Sequence, residues 1–384
     1  MGPHLVTDWS QLVRPSLIGV DPYRPGPSVD ELKASFGLKD LVKLNWNEGL
    51  LGPFPNVRDA VLGELDRAWM YPEHAYSDFR EAVADWLGTR PELIVPGHGI
   101  QALIATVAHA FLDPGDAVVV PSPTYGLYAQ VSAAAGARVE RVPGKSHRHD
   151  LEALAAAAHR VAARLIWLCD PNNPTGSIVE KDEWKALLPA LPDRCAVVVD
   201  EAYVEYVRPE HRLRRQDDVE AGRPVVVLRT FSKIFGLAGL RLGYALAHES
   251  LAPFLDVVQE PFNVNRAALA AGRASLRHPE LVDERRRENE IARDTLAGML
   301  KERGVEPFPS EANFLLVDVG TDDVALAEGL LRRGLLVRPG QDFGMPGYIR
   351  VTIGPLPLME RFAKELGLLL ERGTEDRLEG AGRA

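Results

Sequence analysis

Cysteine is scarce in this chain of 384 residues, which has only Cys169 and Cys195. Each sits inside an apolar run, a setting that excludes a disulfide framework and points to core packing in a reducing compartment. Basic charge is also short. Lys and Arg number 44 against 54 Asp and Glu, for a formal net charge of -10, so the chain lacks the cationic surface that holds nucleic acid or anionic membranes. No run approaches the ~18 apolar residues of a membrane span, and the opening MGPHLVTDWSQLVRP lacks the basic and apolar segments of a secretory signal. A cytoplasmic protein with small-molecule partners is the expectation. His98, His109, His147 and His149 have no Cys or carboxylate at metal-ligand spacing, so no metal site is expected.

What is present is apolar bulk. With 46% hydrophobic and 26% charged residues the chain can bury a large core, and its length suggests two domains. Pro15, Pro22, Pro25 and Pro27 make the first forty residues unsuited to a packed helix and suggest an extended arm of the kind that serves dimers. In DFREAVADWL, Phe79, Val83, Trp86 and Leu87 share one helical face. Continuous apolar runs occur at AVVVP (117–121), LIWLC (165–169), CAVVVD (195–200) and VVVLRT (225–230). Such runs read as strands covered on both faces, and the segments between them are long enough for crossover helices. The expected fold is therefore α/β with a mostly parallel sheet. The last hundred residues hold a charged helix (DERRRENEIARDTLAGML), a strand NFLLVDV, a helix near 322–333, and strands LLVRP and YIRVTI, the pattern of a smaller α+β domain. The chain divides on this pattern into an arm that also joins the small domain (1–45), a large domain (46–265), a small domain (266–372) and a polar tail expected to be disordered (373–384).

In an open α/β sheet, ligands lie beyond the carboxyl ends of the strands. There the chain places Asp170-Pro171-Asn172-Asn173-Pro174-Thr175-Gly176, then Asp200-Glu201-Ala202-Tyr203, then Phe231-Ser232-Lys233. An amide, a carboxylate with a phenol, and an amine are thus presented at three strand ends. Pyridoxal phosphate needs such a set: an amine to carry it, a carboxylate for its ring nitrogen and donors for its phenolic oxygen. Its phosphate suits cations, hydroxyls and a helix N-terminus, for which Arg241, Ser232 and Gly99-Ile100-Gln101 are candidates. Tyr125 offers an aromatic face for stacking.

The ordered motifs PSPTYGLY, PNNPTG, DEAY and TFSKIFGLAGLRLGY resemble those of the fold-type I aminotransferases, over roughly residues 15–370. DPYRPG, Asn47-Glu48, MYPE and SEANF…LVRP…YIRVTIG are more narrowly similar to the histidinol-phosphate aminotransferase subfamily. The resemblance implies a seven-stranded-type, mostly parallel large-domain sheet and a homodimer with shared active sites. It implies Lys233 as the lysine that carries the cofactor and acts in catalysis, Asp200 as partner of the ring nitrogen, and Asn173 and Tyr203 as partners of the phenolic oxygen. It assigns Tyr125 to stacking, and Ser232, Arg241, Gly99, Ile100 and Gln101 to the phosphate, with Tyr71 reaching it from a partner subunit. It assigns Arg350, Arg338, Tyr23 and Asn47 to the substrate, an anionic amine whose amino group passes to a 2-oxo acid such as 2-oxoglutarate.

Two stretches depart from the family pattern. Gly49-Leu50-Leu51-Gly52 stands where Asn-Pro-Tyr-Gly is usual, near the expected substrate entrance. His98-Gly99-Ile100-Gln101 stands where Asn-Gly-Ser-Asp is usual, which keeps the backbone N–H groups and removes side-chain acceptors. Other readings remain at this level: an aromatic or other biosynthetic aminotransferase, a threonine-phosphate decarboxylase-like enzyme, or a non-catalytic regulatory domain. The glycines of 236–243 have the wrong spacing and place for a dinucleotide loop.

Overall fold

A computed structural model describes residues 8–22 and 26–381, with side chains as far as residue 371. The runs AVVVP, LIWLC, AVVVD and VVVLRT are rich in β-branched residues, whose restricted χ1 suits a pleated strand, and all four are strands. In chain order the strands begin with β1 (Val42–Lys43), β2 (Ile94–Gly97), β3 (Ala117–Ser122) and β4 (Arg138–Pro143). They continue with β5 (Leu165–Cys169), β6 (Ala196–Asp200), β7 (Val225–Thr230) and β8 (Gly243–Leu246). Strands β2 to β8 form a seven-stranded sheet in the order β2-β8-β7-β6-β5-β3-β4. All its pairs are parallel except those of β8, which runs against both neighbours.

Successive residues of one strand feed opposite cores. Val197 and Val199 enter one hydrophobic cluster, whereas Ala196 and Val198 enter another across the sheet. Coverage on both faces explains why these strands read as unbroken apolar runs. Full burial of a valine contributes roughly 1.5–3 kcal/mol, so the central strands β5, β6 and β7 form a firm base for the turns at their carboxyl ends. The sequence does not announce β2, β4 or β8. β4 is an edge strand whose RVERVP alternates charge with valine, β2 contains Pro96 and Gly97, and β8 is the short GYAL after a glycine-rich stretch.

The remaining strands are β9 (Glu306–Pro307), β10 (Phe314–Asp318), β11 (Leu335–Leu336), β12 (Arg338–Pro339) and β13 (Tyr348–Thr352). Four of them make an antiparallel sheet in the order β12-β13-β10-β9, and β1 pairs in parallel with β11. LLVRP, expected as one strand, is therefore split between β11 and β12. Leu44 joins Leu315, Ile349 and Phe362 in a third cluster, so the residues around β1 pack with the C-terminal sheet. The helices that follow residue 266 pack against both units. Helix Arg266–Leu276 places Ala268, Ala271 and Ala274 in the large sheet's core, and helix Pro279–Lys301 reaches both units, with Val282 in that core and Leu296 and Leu300 in the third cluster. The final helix, Leu356–Ala381, runs on beyond 372, where the polar composition suggested a disordered tail. The arm rests on helix Leu127–Ala134 through Ser16 Oγ to the Ala134 carbonyl (3.0 Å) and Gln130 Nε2 to the Asp21 carbonyl (2.6 Å). Among the described residues no helix is long and apolar enough to cross a membrane.

Candidate active site

The carboxyl ends of β5, β6 and β7 open into a cavity of about 1030 Å³ that is closed on its other side by residues of β12 and β13. Asn173, Asp200, Tyr203, Ser232 and Lys233 line it from the large sheet, with Ile100, Gln101, Tyr125 and Arg241 beside them. Asn47, Arg338 and Arg350 line it from the opposite side. The residues singled out in the sequence thus converge, with three exceptions. Gly99 does not line the cavity itself but directly precedes Ile100, which does. Tyr71 is 78% exposed, stacks on Phe262 at 4.8 Å between ring centres, and does not line the cavity of its own chain. Tyr23 lies outside the described residues, although its neighbour Pro22 lines the cavity.

Lys233 lies beyond β7 in a turn closed by the Gly236 N–H on the Lys233 carbonyl (3.0 Å). Its Nζ donates to the Trp46 carbonyl (3.0 Å) and lies 5.4 Å from the Tyr203 ring centre. Removal from water disfavours the ammonium, and the Arg350 guanidinium adds to this, lowering the amine to about 8. Gly49 explains how the 47–52 loop comes so near, because a Cβ there would run into the Lys233 carbonyl oxygen. The first sequence departure therefore allows a close backbone approach to the lysine loop.

Asp200 ends β6 and is 3% exposed. Its Oδ1 accepts from the Ala202 N–H (3.0 Å) and its Oδ2 from the Tyr128 hydroxyl (2.6 Å). Burial outweighs these bonds and raises the acid to about 6. Sequence reasoning missed Tyr128, although it stands three residues after Tyr125 in PSPTYGLY. It is fully buried and stacked on Trp167 at 5.4 Å, so its hydroxyl is fixed beneath the cavity.

Two amides of the cavity are held by side chains from the C-terminal sheet. Arg350 donates from Nη1 to Asn173 Oδ1 and from Nη2 to the Asn45 carbonyl (2.6 Å). A guanidinium has no acceptor, so this bond sets the Asn173 flip. Asn47 Oδ1 accepts from Thr352 Oγ1 (3.3 Å), while Asn47 Nδ2 donates to Tyr203 Oη (3.2 Å) and leaves the phenol proton free to be donated. The neighbouring Asn172 holds the 123–125 loop, its Oδ1 accepting from Thr124 Oγ1 (2.8 Å) and its Nδ2 donating to the Pro123 carbonyl (3.1 Å).

The remaining end of the cavity suits an anion. Helix Gly99–Phe111 begins there, and its first N–H groups have no partner within the helix. Gly99 has φ of +76°, and a Cβ on it would lie 2.6 Å from Arg241 Nη2, so glycine is what lets the arginine approach the helix end. Arg241 donates from Nη1 to Ser232 Oγ (3.5 Å) and from Nη2 to Gln101 Oε1 (3.5 Å), and Gln101 Nε2 donates to Tyr125 Oη (2.8 Å). Gln101, the second departure, thus ties the arginine to the tyrosine. Arg338 and Arg350 are register partners on adjacent strands, and Arg338 Nε pairs with Asp342 Oδ2 (2.7 Å).

A second cavity, of about 840 Å³, lies among helices Ser77–Leu87, Arg266–Leu276 and Pro279–Lys301. It contains no lysine and none of the motif residues. His149 is a core residue whose Nε2 meets the Cys169 carbonyl (3.0 Å), and burial lowers its pKa. Among the described residues no three His, Cys, Asp or Glu side chains come together as a metal site.

Comparison with known proteins gives this arrangement a context. The family model for aminotransferase class I and II matches residues 39–366. A histidinol-phosphate aminotransferase of Moorella thermoacetica is 38% identical over 358 residues, 93% of this chain and 92% of that one. A second, from Symbiobacterium thermophilum, is 39% identical over 362 residues, covering 94% and 99%. The crystal structure of histidinol-phosphate aminotransferase from Sinorhizobium meliloti in complex with pyridoxal-5'-phosphate has a TM-score of 0.86 at 30% identity, covering 94% of this chain and 98% of that one. By family model, sequence and architecture alike, the chain belongs to the class I and II aminotransferases.

Proposed function

We propose that the cavity binds pyridoxal phosphate and that the chain transfers the amino group of an anionic amine, with L-histidinol phosphate the leading donor, to a 2-oxo acid such as 2-oxoglutarate. The observation that carries this reading is one cavity holding a depressed lysine, a buried carboxylate and an arginine at a helix N-terminus. The names of the relatives support the choice of donor.

The residues fit the cofactor. Asp200 is a carboxylate whose charge is disfavoured by burial, so a protonated ring nitrogen against it is stabilised and in turn keeps it ionised. Asn173 Nδ2 and Tyr203 Oη can both donate to a phenolic oxygen. Arg241, Ser232 and the N–H groups of Ile100 and Gln101 converge where a phosphate would lie. When bound, pyridoxal phosphate supplies an electron sink for the pair left behind at the donor carbon. The Lys233 amine would hold the cofactor and, when free, would take the proton from the donor carbon and hand it on. Its value near 8 leaves an appreciable neutral fraction at neutral pH. Arg350 and Arg338 face the donor's anionic group, and the same arginines receive the carboxylate of the 2-oxo acid that accepts the amine in the second half of the cycle. Two half-reactions through one cavity give ping-pong kinetics.

A homodimer with shared sites completes the reading. Trp69 (83% exposed), Tyr71, Phe254 and Val257 (81%) are large apolar side chains left in solvent, and the Tyr71–Phe262 stack brings their two segments to one side of the chain. A second copy covering that side could lend Tyr71 to the neighbouring phosphate. Mixing Lys233→Ala and Tyr71→Ala chains should then restore activity that neither shows alone.

A donor panel tests the function directly. Transfer from histidinol phosphate to 2-oxoglutarate, followed as glutamate, should exceed transfer from phenylalanine or aspartate. A protein that ignores histidinol phosphate and uses an aromatic amino acid well is instead an aromatic aminotransferase.

A further inference from the structure

Beneath the cavity lies a chain of four buried charges that the transfer chemistry does not use. Asp170 comes directly after β5, three residues before Asn173, and Glu201 directly after Asp200. Arg229 lies on β7, four residues before Lys233. Arg215 comes from a different place, the start of helix Gln216–Glu220. Its Nη2 donates to Asp170 Oδ2 and its Nη1 to Glu201 Oε1 (2.8 Å). Glu201 Oε2 accepts in turn from Arg229 Nε (2.9 Å) and Nη2 (2.8 Å). Asp170 Oδ1 accepts from the Val179 N–H (2.9 Å), which secures the far side of the PNNPTG turn. Exposure of the four is 5%, 2%, 0% and 6% in the order Asp170, Arg215, Glu201, Arg229. The Arg215 guanidinium lies over the Trp184 ring at 4.5 Å, which holds its plane.

We infer that Arg215 is a positioning residue, fixing the segments that carry Asn173, Asp200 and Lys233 relative to one another through the chain Asp170–Arg215–Glu201–Arg229. A planar fork bridging two carboxylates on different strand ends sets distance as well as angle. The two acids and two arginines balance, so the chain brings no net charge beneath the cavity. Glu201, the ion-pair partner of Arg215, lies close enough to Asp200 for its charge to contribute to the rise in that acid. Replacing the arginine leaves Asp170 buried without its cation, so the loss reaches the strand ends rather than staying in the helix that carries it.

The inference rests on the roles given to Lys233 and Asp200, and the experiment separates the two. It compares the parent with Arg215→Met, Arg215→Lys, Asp170→Asn with Arg215→Met, and Glu201→Gln, which changes charge with little change of shape. For each, thermal unfolding by circular dichroism, the pH midpoint of the bound cofactor's visible absorption, kcat and donor KM are measured. Arg215→Met should lower kcat about tenfold or more, equivalent to ~1.4 kcal/mol, with donor KM little changed and the absorption midpoint displaced. Arg215→Lys should recover part of both. Because Asp170 and Arg215 act as a unit, the double variant should be no worse than Arg215→Met. A lower unfolding temperature with parent kcat and parent midpoint would make Arg215 a scaffold residue and overturn the inference. Should Arg215→Met fail to fold, Glu201→Gln decides: a parent-like kcat and midpoint there overturns it too. Failure of the underlying site reading has a different mark, a parent protein with no visible band at all.

Discussion

The two sheets meet the cavity in different ways. The seven-stranded sheet contributes Asn173, Asp200 and Lys233 at or just beyond the ends of three adjacent strands, each in its own short motif. The four-stranded sheet contributes Arg350 from within a strand and Arg338 from its register partner. Strand ends of the parallel sheet present groups suited to a fixed partner, as the proposed cofactor chemistry requires. The antiparallel sheet presents two cations side by side, a surface suited to an anion that comes and goes. The arginines also differ from each other. Arg350 is 7% exposed and already bonded to Asn173, so it joins the two units, whereas Arg338 pairs with Asp342 of its own unit.

Substitutions on each side should break that contrast in different ways. The largest effect belongs to the parallel sheet. If Lys233 is the carrier of the cofactor and the base, as proposed, Lys233→Ala should lower kcat/KM by about 10⁴-fold, measured by glutamate formation. Next comes Asp200→Asn, which keeps shape and loses charge; kcat should drop by roughly 10²–10³-fold with the circular dichroism spectrum unchanged. Turnover within about threefold of the parent would remove Asp200 from the ring nitrogen, since that is a loss of under about 1 kcal/mol.

The antiparallel sheet should show smaller, selective losses. Arg350→Gln removes the bond to Asn173 as well as the proposed contact with the anion and should weaken every donor. Arg338→Gln should weaken histidinol phosphate far more than phenylalanine, shifting the ratio of kcat/KM about tenfold or more if the pair with the anion is worth ~2–5 kcal/mol. Equal losses for both donors would return Arg338 to its scaffold role beside Asp342.

The smallest effect is on pH dependence and joins the two units. The Lys233 amine is held near 8, so capture of pyridoxal phosphate by the apoprotein should quicken as pH rises through 8 and then level off. Arg350 depresses that amine, so Arg350→Gln should move the midpoint upward. A midpoint that stays put, or moves down, would show that Arg350 does not act on the lysine.

The same contrast explains what could be read from the sequence. The central strands, their order of motifs and the residues at their ends were legible because double coverage makes valine runs and the chemistry falls at their ends. A seven-stranded, mostly parallel sheet was expected and found. The edges were not legible: β4 hides in RVERVP, and β1 pairs with a strand nearly three hundred residues away. Arg215 could not be found from spacing, since it stands in RLRRQDD among other arginines. Tyr128 was within reach, because it shares a motif with Tyr125, but only the structure places its hydroxyl on Asp200. Gln101 read as a lost acceptor and proves to bridge Arg241 and Tyr125. Such roles are set by contacts distant in sequence, which local pattern does not encode.

Attachment of the cofactor to Lys233 is tested by loading purified protein with pyridoxal phosphate, reducing it with borohydride, digesting it and analysing the peptides by mass spectrometry. The visible band should be lost and a pyridoxyl-phosphate adduct should appear on the peptide containing Lys233. An adduct on another lysine, or none despite bound cofactor, would contradict it.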